Sequence, residues 1–237
     1  MGMDRDSLQL SEFMQYLARK KNDGERLPSL VELSQELGIS IATLREQLEV
    51  ARALGLVEVR PKTGIRRLPY RFTPAVCKSL SYAATVDSDF FFHEYADLRT
   101  HVESAYWQQA VSLLTPEDHH HLKALVERAF TKLNGRPIQM PHGEHRELHL
   151  CIYRRLGNPF VMGILEAYWD AYEAVGLSMY TDISYLKNVW NYHSKMVDAI
   201  CSGDTSLGYQ ALIEHTDLLL KRERGLPKPV VSRQEFE

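Results

Sequence analysis

Apolar residues recur at helical spacing along almost the whole of this chain, and the pattern switches to a period of two only between Leu56 and Tyr70. That single change constrains the fold more than any other feature. Upstream of it, LQLSEFMQYLARK (8–20) aligns Leu8, Phe13, Tyr16 and Leu17 mostly along one face, SLVELSQEL (29–37) aligns Leu30, Leu33 and Leu37, and IATLREQLEVARALG (41–55) aligns Leu44, Leu48, Ala51 and Leu54. Within LVEVRPKTGIRRLPY (56–70), two short alternating runs flank Pro61, Lys62, Thr63 and Gly64, residues suited to a tight hairpin turn. Three helices followed by a hairpin predict a winged helix-turn-helix. From about Thr73 the helical period returns, broken at LTPED (114–118), LNGRPIQMPHG (133–143), LGNP (156–159) and CSGDTS (201–206). The expected fold is mainly α: a winged helix-turn-helix over residues 1–70, an all-helical bundle of six or seven helices over 71–224, and a flexible tail over 225–237.

With 237 residues, 44% of them hydrophobic, the chain has material for both cores. Its 28 Lys and Arg nearly balance its 31 Asp and Glu, so overall charge demands no polyanionic partner. The balance is uneven along the chain: residues 1–70 hold 11 basic and 10 acidic residues, and the remainder holds 17 and 21. Cys77, Cys151 and Cys201 show no CxxC spacing, which excludes a zinc ribbon and a disulfide framework and reads as buried, reduced thiols. The start, MGMDRDSLQL, lacks a basic segment followed by an apolar one, and no apolar run approaches the ~18 residues of a membrane span. A cytoplasmic protein without a membrane partner is expected.

Between the second and third helices, ELGIS supplies a turn in which Gly38 takes a left-handed conformation and Ser40 caps the next helix. The third helix then presents Ile41, Ala42, Thr43, Arg45, Glu46 and Glu49 outward, with Arg45 as the natural guanine or phosphate contact and Thr43 as a shorter one. Arg60, Lys62, Arg66 and Arg67 give the hairpin four cations suited to phosphates. A solvated charged hairpin on a protein-interaction module is the alternative.

The second feature is HGEHRELHLCIYRRLGN (142–158), where His145 and His149 stand one turn apart on one helix face. Packing or solvent exposure explains most such pairs. Here two more histidines enter, since a turn at Gly203 between two antiparallel helices sets His193 and His215 each about 14 Å from the loop and therefore level with one another. Four imidazoles from three helices can meet at one point, which is how bundle metal sites are built. A metal-free polar pocket stays open as the alternative. In DHHHL (118–122) adjacent side chains diverge by ~100°, so that run is expected to be an exposed helix start near Pro116.

RLPSLVELSQELGISIATLREQLEVARALGLVEVRPKTGI (26–65) resembles, without a gap, the winged helix of the GntR family of bacterial transcription regulators. HRELHLCIYRRLGNP and HSKMVDAICSGDTSLGYQALIEH resemble elements of the helical FCD ligand domain of its FadR-like subgroup. The resemblance implies a homodimer binding a double-stranded DNA operator, with Ser40, Thr43, Arg45, Lys62, Thr63, Gly64 and Arg66 facing DNA. It also implies a divalent metal held by three histidines and an aspartate, on positions occupied here by His149, His193, His215 and, in place of the aspartate, His145. An all-nitrogen set favours zinc or nickel. Arg99 and Glu103 match the subgroup's R-x-x-x-E, and with Tyr106 they are the candidates for binding a small organic acid effector, although Arg99 can instead pair with Glu103 inside its own helix. Two departures bear on DNA: Val31 and Ile41 stand where the family has arginines. A metal-dependent enzyme and a purely structural metal are the competing functional readings.

Overall fold

Ser11, Ser29 and Ser40 each stand just ahead of an apolar-periodic run, and in the computed structural model, which describes residues 9–20, 24, 26–175 and 182–225, each starts a helix. Helix α1 spans Glu12–Arg19, α2 Leu30–Leu37 and α3 Ile41–Ala53. Each serine Oγ accepts an otherwise orphaned backbone N–H, and Ser29 and Glu32 form a reciprocal capping box. Gly38 ends α2 at φ 68°, a left-handed conformation that a side chain would strain. Residue Leu8 and most of the expected tail lie outside the described residues.

The hairpin follows as strands β1 (Val57–Arg60) and β2 (Gly64–Arg67), antiparallel, with Val59 opposite Ile65 and Arg60 opposite Gly64. The turn is thus Pro61–Thr63, and Gly64, expected within it, is already the first residue of β2. Lys62 carries the chain round at φ 67°. Leu27 N–H donates to the Ile65 carbonyl at 2.9 Å, pinning the wing to the segment before α2. Phe13, Leu33, Leu44 and Ala51 are fully buried and, with Leu48, Val57 and Ile65, make the core of this head.

Among the described residues seven further helices follow: α4 (Thr73–Val86), α5 (Ser88–Ser112), α6 (Pro116–Asn134), α7 (His142–Arg154), α8 (Pro159–Val175), α9 (Ile183–Ser202) and α10 (Thr205–Gly225). The chain packs as two units whose boundary falls inside α5, after Tyr95. One unit contains the head, α4, the start of α5 and α8. In it Arg71 donates to the Glu166 carboxylate at 2.6 Å, Thr73 Oγ1 donates to the same carboxylate, and Phe92 stacks on Tyr168. Gly163 lies so close to Phe72 that an added Cβ would come within 2.7 Å of its Cβ.

The other unit holds the rest of α5 with α6, α7, α9 and α10. On α9 the buried residues Leu186, Val189, Trp190, His193, Met196, Val197 and Ile200 recur at three- and four-residue intervals, so one helix face is apolar with a histidine at its centre. Gly203 closes α9 at φ 80°, and α10 begins two residues later. Trp107 of α5 is buried, and its Nε1–H donates to the Thr205 carbonyl at 3.0 Å. The DHHHL run begins α6 behind a Thr115–Asp118 capping box, with His120 and His121 exposed. Of the three cysteines only Cys151 is buried, whereas Cys77 and Cys201 are half-buried because they sit at the margin of their helices' covered faces. No helix among the described residues is long and apolar enough to cross a membrane.

Candidate functional site

Helix α7 carries Leu148, Cys151 and Ile152 on its buried side, and this stripe takes His149 inward with it. The same logic buries His193 on α9, and His215 follows from the register of the α9–α10 hairpin. The result is a cluster in which one nitrogen from each of His145, His149, His193 and His215 lies within 4.8 Å of every other. His149 Nε2 is 3.2 Å from His193 Nε2, which is 3.1 Å from His215 Nε2. The ring of His145 stands edge-on to His193 with centroids 4.6 Å apart. His149 and His193 are fully buried and His145 is half-buried.

Protons alone satisfy this arrangement poorly. A neutral imidazole has one N–H and one lone pair, both directed in the ring plane. His193 Nε2 meets a like nitrogen on either side, so its single in-plane N–H or lone pair makes one well-directed bond and at best a shared, bent second one. The Nδ1 atoms of His193 and His215 are also buried and find no hydrogen-bond partner. Protonation offers no relief: burial first, and then the charge of neighbouring imidazoles and of Arg99, push His145, His193 and His215 well below the ordinary imidazole range. Neutral nitrogens converging from three helices are the donor set that a divalent transition metal requires.

Arg99 and Glu103 form the floor of the cluster. Both are buried, and Arg99 Nη2 is 3.0 Å from Glu103 Oε2, so the pair is intrahelical as well as part of the pocket. Glu103 Oε1 is 3.0 Å from His149 Nδ1. Burial alone would raise the Glu103 carboxyl, but Arg99 and His149 beside it hold it at about 2. A carboxylate accepting from Nδ1–H leaves the lone pair of His149 on Nε2, the atom that faces the other histidines. Spacing on α5 alone cannot show this contact with α7, and from the sequence Glu103 is expected only as an effector contact or as the intrahelical partner of Arg99. Tyr106 lies one turn farther along α5 and is half-buried.

In the head, α3 exposes Ile41, Ala42, Thr43, Arg45 and Glu46, and Arg45 makes no ion pair among the described residues. Ser40 Oγ accepts from Thr43 N–H at 3.1 Å and lies 2.9 Å from Thr43 Oγ1, so the two hydroxyls are committed to each other and to the cap. Lys62 and Thr63 are exposed at the wing tip and Arg66 on β2. Gly64 is half-buried, and Arg60 pairs with Glu58 at 2.8 Å.

Residues 94–218, more than half of the chain, match the FCD domain family. The chain belongs to the FCD-containing regulators of the GntR family. It is 27% identical over 201 residues to the uncharacterized HTH-type transcriptional regulator YieP of Escherichia coli K12, covering 79% of this chain and 81% of that one. Among solved structures, Streptococcus agalactiae GntR matches with a TM-score of 0.66 at 17% identity, covering 89% of this chain and 95% of the other. A Listeria monocytogenes protein described as Lar, controlling expression of the agr system, matches with a TM-score of 0.51 at 14% identity over 95% of this chain. These last two likenesses concern the fold. The transcription-regulator family and the winged-helix and helical architecture expected from the sequence are thereby established. Within this family the chain carries a histidine, His145, where the resemblance leads one to expect an aspartate.

Proposed function

We propose that this regulator binds an operator through its winged head as a homodimer, and that its helical domain holds a divalent metal beside a site for a small organic acid. The metal reading rests on one observation: one nitrogen from each of the four histidines lies within 4.8 Å of every other in a buried pocket, with His193 Nε2 3.1–3.2 Å from two other Nε2 atoms. His145, His149, His193 and His215 would hold the ion, whose role when bound is to join three helices and to offer a Lewis-acid centre to an acidic ligand. Nitrogen donors favour zinc, nickel or copper over manganese. Glu103 orients His149. An organic acid that engages Arg99 competes with a salt bridge already made to Glu103, so ligand affinity reflects an exchange of carboxylates rather than a new contact.

On the DNA side, Arg45 on α3 and Lys62, Thr63 and Arg66 on the wing are the contacts assigned to an operator, with Ser40 and Thr43 shaping the helix start and Gly64 the wing turn. Effector binding alters DNA affinity only as far as it discriminates between two arrangements of the dimer. No catalytic step is assigned, since the carboxylate touching the histidines is committed to Arg99 and His149.

A second reading has its own support. Four protein nitrogens would fill every position of a tetrahedral ion and leave none open, the closed coordination of a structural ion, though such sites are usually built with cysteine. Elemental analysis of the purified chain separates the possibilities. About one equivalent of metal, absent from the His193→Ala, His215→Ala double variant, supports the site, and its absence after reconstitution with zinc or nickel refutes it. Chelation that unfolds the helical domain favours the structural ion, and chelation that abolishes ligand-induced thermal shifts while preserving helicity favours the sensor.

A further inference from the structure

We infer that α3 reads thymine through its C5-methyl group, with Ile41 as the contacting residue. The inference rests on the operator-binding reading and specifies which base feature the head recognises.

In a helix-turn-helix the N-terminal turn of the recognition helix is the part that reaches base edges. Here that turn is GISIATL (38–44), which contains no Arg, Lys, Asn, Gln, Asp or Glu. Bidentate recognition of guanine or adenine needs one of the first four, and acceptance from cytosine N4 needs one of the last two. None of these reaches a base from this turn. The hydroxyls offer little in their place: Ser40 Oγ takes the Thr43 N–H, and the two hydroxyls are 2.9 Å apart. With its Oγ1 turned back to Ser40, Thr43 presents its methyl group away from the cap.

What remains outward is apolar. Ile41 is 37% exposed and Ala42 and Thr43 are exposed, while the core face of the same helix, Leu44, Leu48 and Ala51, is at most 6% exposed. On the first turn of α2, Val31 is 55% exposed. Ile41 is not among the residues that make or pack against the head's core, which takes Leu44 and Leu48 from this helix. The major groove offers one apolar feature among its base edges, the thymine methyl. Arg45, one turn on, exposed and without an ion pair among the described residues, supplies the charged contact beside it.

The test uses the full chain. Duplexes are selected from a random pool, and each thymine of the enriched half-site is then replaced singly by deoxyuridine, which removes the methyl and leaves every hydrogen-bonding edge intact. Loss of one buried methyl contact corresponds to a ~3–5-fold weaker affinity. The expected result is such a loss at one or two thymines per half-site, reduced to less than about twofold in Ile41→Ala, together with a shift from thymine to guanine at that position when the selection is repeated with Ile41→Arg. Enrichment of a sequence that tolerates deoxyuridine at every thymine overturns the inference and leaves the operator reading standing. A penalty of equal size in wild type and Ile41→Ala also overturns it. If no sequence is enriched over the starting pool, the operator reading fails and carries this inference with it. The deoxyuridine series on wild type removes the methyl from DNA rather than from protein, so that arm does not depend on how well a variant folds.

Discussion

The first turn of α3 and the pocket between α5, α7, α9 and α10 both depart from the usual placement of side chains, in opposite directions. The turn puts an isoleucine and two methyl-bearing residues on a surface where charge is ordinary. The pocket puts a guanidinium, a carboxylate and three imidazoles where leucine is ordinary. Everything around each is conventional: capped helices, a tight hairpin and apolar faces at helical spacing. The contrast teaches that a fold assembled from consistent local rules shows its working parts as local exceptions, and that the sign of the exception indicates the chemistry of the partner. An exposed apolar turn suits an apolar group. Buried, unprotonated nitrogens suit a cation.

The comparison breaks most easily at His193. Its replacement by alanine removes the central nitrogen of the three and should take metal content from about one equivalent to none by elemental analysis; undiminished metal would mean that the cluster is not the site. In the head the matching core variant is Leu44→Ala, which should destabilise by about 2–5 kcal/mol in denaturant unfolding. Ile41→Ala, three residues away and exposed, should change stability by no more than ~0.5 kcal/mol. Equal effects would show that Ile41 packs after all. Glu103→Gln sharpens the pocket half: losing the carboxylate that orients His149 should weaken metal binding ~10–100-fold in a competition titration while the site still fills at saturating metal.

The smallest expected effect concerns pH. The Asp118 carboxyl, hydrogen-bonded by Arg155 and by the Thr115 backbone and hydroxyl, is held down at about 2. Its folded value lies below the ~3.9 of an unfolded aspartate, so its contribution is complete above about pH 5 and fades as pH falls through 4 towards 2. In Asp118→Asn the melting temperature should therefore drop less steeply than in wild type between pH 5 and 2.5.

Much of the fold was legible because its signals are local. Ser11, Ser29 and Ser40 precede their helices, and Gly38 and Gly203 end theirs in the left-handed region, so the boundaries of α2, α3 and α9 follow from single residues. The four histidines were legible because apolar stripes on α7 and α9 fix the direction of His149 and His193, the α9–α10 hairpin sets His215 level with His193, and His145 lies one turn from His149. Other features depend on contacts between distant segments. That Glu103 faces His149 requires α5 to lie against α7, and that Glu166 receives both Arg71 and Thr73 requires α8 to reach the segment leading into α4. No spacing on one helix contains either fact. The turn at the wing illustrates the same limit on a small scale: Gly64 reads as a turn residue by type, yet the ladder to Arg60 makes it part of the strand.

Gly203 and Asp204 are all that separates α9 from α10. Surface connections commonly accept insertions, because nothing downstream depends on their length. This one is different. A residue added or removed between Gly203 and His215 turns the His215 ring by ~100° about the axis of α10 and shifts it by ~1.5 Å, which takes it out of line with His193. The hairpin is a ruler: Gly203 holds its turn in the left-handed region, the number of residues to His215 is fixed, and the distance it measures is the one between two imidazoles.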